Sequence, residues 1–317
     1  RGKYQSYMGL IANCGTLFGS VMNLVILPLA GWREVFVFCG VLGAVVMILI
    51  GVCMNESPRW LALNGKNDKA DEIVSGLEAK AMAAGKSVPE VTEEEIQRRE
   101  QEQEVKQLPF SFLFKKKMLP RTFTAMLLCF TMNVIVYTVI TWTPTILRAN
   151  GFDTSLATLT TVVMQMGIPI GVGLLTFYVE KVNRKVILIG SYLAVAILGP
   201  VWAMLPTDNV ALIMGFGLLV CVFTFTNSVT TAAIYLSEPF PTACRIRGAG
   251  LANAFGRVAG IVSPMWIAFF VASPIGTMGA YLINSALAVA MSIWLAVFGV
   301  ETRGRTLEDI TKGLLDD

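Results

Sequence analysis

The chain has 317 residues, of which 55% are hydrophobic and only 15% charged, and its formal net charge at pH 7 is +3. Soluble domains carry about 25% charged residues, so this composition excludes an ordinary soluble protein and predicts an all-α membrane protein. Eight apolar stretches are each about 20 residues long, the length at which a helix crosses a hydrocarbon core. They lie near residues 4–28, 34–55, 122–147, 156–179, 186–205, 210–236, 248–272 and 277–300.

One long polar segment, from Glu56 to Arg121, leaves two of these spans before it and six after it. We predict that this segment is helical in part. Its most charged stretch, 93–106, contains the pairs Glu94–Arg98 and Glu95–Arg99, whose i,i+4 spacing is typical of a solvated helix.

Basic residues predict how the chain is oriented, because short loops rich in Lys and Arg stay in the cytoplasm. If the spans alternate strictly, all but two of the 25 Lys and Arg residues lie on one side, with Arg257 counted at the inner end of its span. Only Arg33 and Arg148 lie on the other side. Both chain ends and the long polar segment are therefore predicted to be cytoplasmic. The positive charge then reflects topology and does not indicate a nucleic-acid partner.

Cysteine and histidine usage excludes several kinds of chemistry. The six cysteines form no CxxC pair and the chain has no histidine, so we predict no metal site, no cofactor and no disulfide. A Ser-His-Asp triad is impossible without histidine, and no GxxxxGK[ST] phosphate loop is present. We therefore do not expect an enzyme or an ATP-driven pump.

A short pattern occurs twice in the chain. Arg1-Gly2 precedes the first span and Glu56-Ser57 follows the second, whereas Arg247-Gly248 precedes the seventh span and Glu301-Thr302 follows the eighth. The separations within the two copies are nearly equal. Parallel repeats of helix groups are typical of two-bundle transporters, although chance recurrence of such short pairs is the alternative.

Longer motifs carry a family resemblance. Glu-Ser-Pro-Arg-Trp-Leu at 56–61, Glu-Pro-Phe-Pro-Thr at 238–242 and Glu-Thr-Arg-Gly-Arg-Thr-Leu-Glu at 301–308 resemble signatures of the major facilitator superfamily. The closest resemblance is to its sugar-porter-like branches, which include aromatic-acid and organic-ion transporters. The loop 180–185 is similar to the superfamily's loop between helices two and three of a half, with Glu180 in place of Asp and Asn183 in place of Gly.

The resemblance implies a fold of twelve helices, arranged as six plus six around a cytoplasmic loop. The eight spans would be helices five to twelve, with the first four missing. The implied domains are the last two helices of the N-terminal bundle (1–55), a cytoplasmic helical loop (56–121), a C-terminal six-helix bundle (122–300) and a cytoplasmic tail (301–317). The implied protein is a monomer in the plasma (inner) membrane, surrounded by the lipid bilayer.

The resemblance also implies a conformational latch, a network of cytoplasmic charges that holds the outward-facing state. Its members here would be Arg59, Glu180, Arg184, Glu238, Arg247, Arg257 and Glu301. Guanidinium groups suit such a network because they bind carboxylates in bidentate geometry. The alternative is that these charges only set the topology and face solvent.

Uncharged polar residues inside the spans are the candidates for binding substrate, because a buried amide or hydroxyl needs a partner or water. The candidates are Asn133, Tyr137, Trp142, Gln165 and Asn227. We predict that they converge near the midplane of the bilayer. The alternative is that they hydrogen-bond between helices. No Asp or Glu lies mid-span, so a proton-titrating group would have to lie in the missing helices.

The substrate class follows from the third span. It lacks the Gln-Gln pair that sugar porters usually carry, and its run from Tyr137 to Thr145 resembles the aromatic-acid and organic-ion branches. We therefore predict a proton-coupled secondary transporter for a small organic solute, with an aromatic or carboxylic acid favoured. The alternatives are a sugar transporter and a transporter-like nutrient receptor without turnover, and a membrane-embedded enzyme is a weaker option.

Glycines are expected to act structurally. Gly15 and Gly19 form a GxxxG pair that permits close helix approach. Gly167, Gly171 and Gly173, with Pro169 among them, predict a bendable fourth span, although tight packing alone would also select them.

Overall fold

The computed structural model describes residues 2–85, 108–236, 238–241 and 243–301. The side chains of residues 2–6, Arg59 and Leu63 lie outside this description, as do the charged stretch 93–106 and all of the tail except Glu301. Within the described ranges all regular secondary structure is helical, which confirms the predicted all-α fold.

Eight spans in the described residues are long and apolar enough to cross a membrane, and their ends lie within a few residues of the predicted ones. The helices are α1 (Gly2–Ala30), α2 (Trp32–Cys53), α3 (Pro58–Leu63), α4 (Asn67–Ala83), α5 (Leu119–Val136), α6 (Thr143–Ala149), α7 (Thr154–Gln165), α8 (Gly167–Tyr178), α9 (Arg184–Ala203), α10 (Val210–Val229), α11 (Arg245–Val271) and α12 (Thr277–Phe298). A short 3-10 helix covers Phe110–Phe114. Two π-helical segments cover Tyr137–Trp142 and Thr230–Tyr235.

The third span is interrupted because of a proline. Pro144 stands in the first turn of α6, and the π-helical segment directly precedes that helix. Proline lacks the N–H of a regular helix and clashes with the preceding turn, so the local winding widens. Two threonine hydroxyls supply hydrogen bonds there: Thr138 donates to the carbonyl of Val134 (2.9 Å) and Thr143 donates to that of Val139 (2.6 Å). Such bonds keep backbone groups satisfied inside a bilayer.

Two glycines with positive φ directly precede membrane-spanning helices. Gly31 has φ 99° and is the whole connection between α1 and α2, and Gly276 has φ 60° directly before α12. Residues with a Cβ rarely adopt positive φ, so glycine is the residue type that permits these short turns. Within the first unit, the short connection from Ala272 to Gly276 makes α11 and α12 run antiparallel.

The residues cluster into two compact units. The first consists of residues 1–28 and 107–317, and the second consists of residues 29–106. The first unit contains the six later spans. Its main core joins Leu128, Tyr192, Trp202, Tyr281 and Met291, which come from three different spans. A second cluster, at the end of the unit where α5 and α11 start, packs the 3-10 helix against Phe240 and Cys244.

Helix α1 clusters with this first unit and not with α2. Leu10 packs against the core cluster that includes Ile168, and a Cβ on Gly9 would lie 3.0 Å from the side chain of Val229. The predicted boundary after residue 55 therefore differs from the boundary between the compact units, because α1 presents its own side chains to the later spans. The assignment of the first two spans to an N-terminal half stays a prediction.

The second unit contains α2, α3 and α4. Leu61 and Ala70 are buried between α3 and α4, which confirms that part of the long polar segment is helical. Helix α2 buries none of its residues, although it is highly apolar.

Helices α8 and α10 approach each other at backbone distance. A Cβ on Gly167 would lie 2.3 Å from the carbonyl oxygen of Leu218, and one on Gly171 would lie 2.4 Å from that of Val222. The hydroxyl of Thr226 donates to the carbonyl of Gly171 at 3.2 Å. This stretch of the fourth span is therefore a packing surface that only glycine fits.

Candidate functional site

Asn133 and Tyr137 lie one turn apart and both face α11. A Cβ on Gly256 would lie 2.9 Å from Nδ2 of Asn133, and one on Gly260 would lie 3.3 Å from the hydroxyl oxygen of Tyr137. Asn133 is 8% exposed and donates to the carbonyl of Cys129 at 2.8 Å. Tyr137 is half-buried. The two glycines leave the room that these polar side chains occupy.

Arg257 also belongs to this corner, and its predicted place at the cytoplasmic end of the seventh span is wrong. Helix α11 starts at Arg245 and has 27 residues, so Arg257 lies near its middle, about 18 Å along the axis from its start. Its Nη1 lies 3.5 Å from the hydroxyl oxygen of Tyr137, and its side chain is exposed. Arg257 therefore lies beside Tyr137 in the middle of α11, and its part in the latch stays a prediction.

Gln165 lies in a different contact. It is the last residue of α7, is 3% exposed, and accepts a 2.5 Å hydrogen bond from the hydroxyl of Ser20 in α1. This bond joins the first span to the fourth. Gln165 therefore has a helix partner in this structure, and its role in binding substrate stays a prediction.

Asn227 occupies a polar cluster between α9 and α10. Its Nδ2 donates to the hydroxyl of Ser191 at 3.0 Å and lies 3.5 Å from the carbonyl of Leu188, and its Oδ1 lies 3.5 Å from the hydroxyl of Thr231. Trp142 packs against the main apolar core. The structure thus brings together Asn133 and Tyr137 but does not join Trp142, Gln165 and Asn227 to them through described contacts.

Three predicted latch residues meet at the end of the first unit where α9 starts. Nη2 of Arg184 lies 3.1 Å from Oε1 of Glu238, and both side chains are largely buried. The carboxylate of Glu301 accepts from the backbone N–H groups of Arg184 and Lys185, each at 3.3 Å. Those N–H groups form the start of α9, where a negative charge is stabilised by the helix dipole.

Lys185 makes the reciprocal contact. Its Nζ donates to the carbonyls of Ala296 at 2.7 Å and Gly299 at 3.3 Å, at the end of α12. Glu301, three residues after α12, thus binds the start of α9, and Lys185 at the start of α9 binds the end of α12. The carboxylate stabilises the positive end of one helix dipole, and the ammonium group stabilises the negative end of the other.

Two further residues strengthen this end of the unit, and the sequence reasoning missed both. The hydroxyl of Tyr235 donates to the carbonyl of Val300 at 2.9 Å and accepts from its N–H at 3.0 Å. Arg121 donates to the carbonyl of Pro239 at 3.1 Å. Tyr235 stands one turn before Glu238, which was the only signal in the sequence that could have indicated it.

The remaining latch candidates lie elsewhere or outside the description. Arg247 lies in the first turn of α11 and donates to the carbonyl of Leu108. Glu180 lies in the loop between α8 and α9, and the side chain of Arg59 lies outside the described residues.

Close to Arg247, burial raises the pKa of the Cys244 thiol, an effect that the neighbouring Arg245 and Arg247 partly oppose. Cys244 is therefore protonated and poorly reactive at neutral pH.

Comparisons with known proteins cover nearly the whole chain. A family model described as "Sugar (and other) transporter" matches residues 1–314. The chain is 29% identical over 318 residues to the inner membrane metabolite transport protein YdjE of Escherichia coli, covering 98% of this chain and 68% of that protein. It is 27% identical over 316 residues to the niacin transporter NiaP of Acinetobacter baylyi, covering 98% and 68%.

A solved structure shares the fold. It is that of the proton:xylose symporter XylE of the major facilitator superfamily, bound to 6-bromo-6-deoxy-D-glucose, with a TM-score of 0.68 and 22% identity. The match covers 98% of this chain and 66% of the symporter. The chain thus spans about two thirds of the length of the proteins that it resembles.

Proposed function

This chain belongs to the sugar (and other) transporter family of the major facilitator superfamily, and from this premise we propose that it moves a small organic acid across a membrane by alternating access. The family match over residues 1–314 is the observation that carries the proposal. It makes the protein a membrane transporter and not an enzyme. The resemblance to the transporters YdjE and NiaP supports the same reading.

The substrate class is the finer part of the proposal. An aromatic or carboxylic acid is favoured by the resemblance to a niacin transporter, since niacin is an aromatic acid. A polar corner formed by Asn133, Tyr137 and Arg257 in the middle of the third and seventh spans suits a small polar solute. A sugar is the competing class, because the solved neighbour is a xylose symporter.

The proposal extends to coupling, location and assembly. We propose proton coupling, as in the solved proton:xylose symporter with which the chain shares its fold. Among the described residues no Asp or Glu lies in the middle of a span, so the proposed titrating group lies outside this part of the chain. We further propose a monomer in the inner membrane with both ends of this chain in the cytoplasm, which the distribution of Lys and Arg supports.

Uptake by proteoliposomes that contain the full-length protein tests these proposals together. Labelled nicotinate should accumulate inside, and an inside-alkaline pH gradient should increase its accumulation, whereas labelled xylose should not enter. Uptake of xylose but not of nicotinate would show that the substrate is a sugar and not an acid. Saturable binding of nicotinate without any uptake would indicate a receptor. Uptake that does not change with the pH gradient would contradict proton coupling.

Asn133 provides a prediction about the site. Replacing it with alanine removes a neutral amide that can bind substrate, which should weaken binding by about 0.5–1.5 kcal/mol and raise the apparent KM several-fold. Gln165→Ala is expected to have a similar effect if its amide also reaches the substrate. Initial uptake rates over a range of nicotinate concentrations measure the change.

The control for these substitutions is Asn150→Ala, because Asn150 is an exposed amide just after α6 and should leave KM unchanged. Protein yield and monodispersity on size-exclusion chromatography show whether each variant folds. An unchanged KM for Asn133→Ala in folded protein would remove Asn133 from the site.

A further inference from the structure

Arg257 is in an unusual position for a charged residue. Among the Lys and Arg residues that the structure describes, it lies farthest from the ends of its span. A guanidinium at this depth is costly unless it faces water, a counter-ion or a polar cavity, and such residues usually serve function. No carboxylate of the described residues pairs with it. The charge is therefore open to an anion that these residues do not provide.

The neighbours of Arg257 are arranged to share a ligand. Its Nη1 lies 3.5 Å from the hydroxyl oxygen of Tyr137, so that oxygen can accept from the guanidinium while its own proton is free to be donated. Asn133 lies one turn before Tyr137, against Gly256, and Asn253 is exposed one turn before Arg257. The seventh span thus provides a guanidinium and the third span a hydroxyl, and both groups can donate hydrogen bonds to one ligand.

We propose that Arg257 binds the carboxylate of the transported solute, with the hydroxyl of Tyr137 as a second donor. This inference rests on the proposed function and names the group that selects the substrate class. A guanidinium presents its N–H groups in a planar fork that matches the two oxygens of a carboxylate. A neutral amide of the same size offers one acceptor oxygen and no negative charge, so it forms neither the bidentate contact nor the ion pair. Arg257 is thus a specificity-determining residue that favours acids over their uncharged analogues.

The test compares solutes that differ only at the acid group. Binding and uptake of nicotinate and nicotinamide, and of 4-hydroxybenzoate and 4-hydroxybenzamide, are measured on the full-length protein in proteoliposomes at pH 7. We expect the native protein to prefer each acid over its amide. Arg257→Gln should weaken the affinity for the acids about tenfold or more, the scale of one charge-assisted hydrogen bond, and change that for the amides by less than about twofold.

Two more variants extend the test. Arg257→Lys keeps the charge and loses the planar fork, so its loss of acid affinity should lie between those of the native protein and Arg257→Gln. If Arg257→Gln does not fold, the comparison of acids with amides is made on Arg257→Lys. Arg148→Gln neutralises an exposed arginine at the far end of the third span and should leave the preference for acids unchanged.

The outcomes separate this inference from the proposed function. If the native protein takes up the acids and Arg257→Gln still prefers them, the carboxylate-binding role of Arg257 is wrong and acid transport stands. If Arg257→Gln weakens acids and amides equally, Arg257 is a structural residue and the inference is again overturned. If the native protein takes up xylose and none of the acids, both the acid class and the inference fail.

Discussion

Replacing Gly171 with alanine is expected to lower the free energy of unfolding of the bundle by about 1–3 kcal/mol, the usual cost of overpacking a tight contact. The new Cβ would lie 2.4 Å from the carbonyl oxygen of Val222, which belongs to the backbone of α10 and cannot rotate away. The two helices must separate, and the hydrogen bond from Thr226 to the carbonyl of Gly171 lengthens with them. A larger residue at the same position should prevent the bundle from assembling.

Gly173 provides the matched control because it lies two residues further on the same helix. Nothing lies within 4 Å of a Cβ built on it. Alanine favours a helix over glycine by about 1 kcal/mol, so Gly173→Ala should leave stability unchanged or raise it slightly. Thermal unfolding of both variants in detergent, followed by thiol-reactive dye binding to the buried cysteines, measures the difference. Equal stability of the two variants would show that α8 and α10 do not approach this closely.

The same glycines show how far sequence reasoning reaches. Three GxxxG pairs are present, Gly15–Gly19, Gly167–Gly171 and Gly256–Gly260, and predictions were made for the first two. The first was expected to permit close helix approach, yet nothing lies within 4 Å of a Cβ on either of its glycines. The second predicts a bendable span, with tight packing as the alternative, and it is the pair that packs against a neighbouring backbone. The spacing is the same in both, so the partner that decides the role cannot be found from the helix itself.

The spans themselves were predictable because a bilayer imposes one length and one polarity on every helix that crosses it. The site was less predictable, because the direction of a polar side chain depends on the neighbouring helix. Asn133 and Asn227 look alike in the sequence, but one lies beside α11 and the other is enclosed between α9 and α10. The latch hypothesis places Arg257 at the cytoplasmic end of its span, although its position within the predicted span 248–272 already indicates greater depth.

Glu238 is expected to influence the balance between transport states through its ion pair with Arg184. Its ion pair with Arg184 connects the end of the sixth span to the start of α9, and both side chains are only partly exposed, at 21% and 14%. Water therefore screens the pair less than it screens a surface pair. Because Glu301 holds the backbone at the start of α9, Arg184 is already positioned for its partner. Removing the charge of Glu238 leaves the guanidinium of Arg184 partly buried without this ion pair.

In the full-length transporter, we expect Glu238→Gln to shift the population toward inward-facing states by about 1–3 kcal/mol, the usual scale of conformational coupling. The shift follows if this cluster supports the outward-facing state, as the latch hypothesis proposes. Asn253→Cys in a background without other cysteines provides the reporter, since Asn253 is exposed on α11 one turn before Arg257, toward the end of the helix that is predicted to be cytoplasmic. Its labelling by a membrane-impermeant thiol reagent from the cytoplasmic side should become faster in Glu238→Gln.

Three companion variants decide whether the ion pair causes the shift. Arg184→Gln should accelerate labelling as Glu238→Gln does, and the double variant should add little, because each single change already removes the pair. Asp208→Asn removes an exposed carboxylate in the loop between α9 and α10, on the opposite side of the unit, and should leave labelling unchanged. Unchanged labelling in Glu238→Gln, or an additive double variant, would mean that these charges set the topology and stabilise the cytoplasmic end without biasing the transport states.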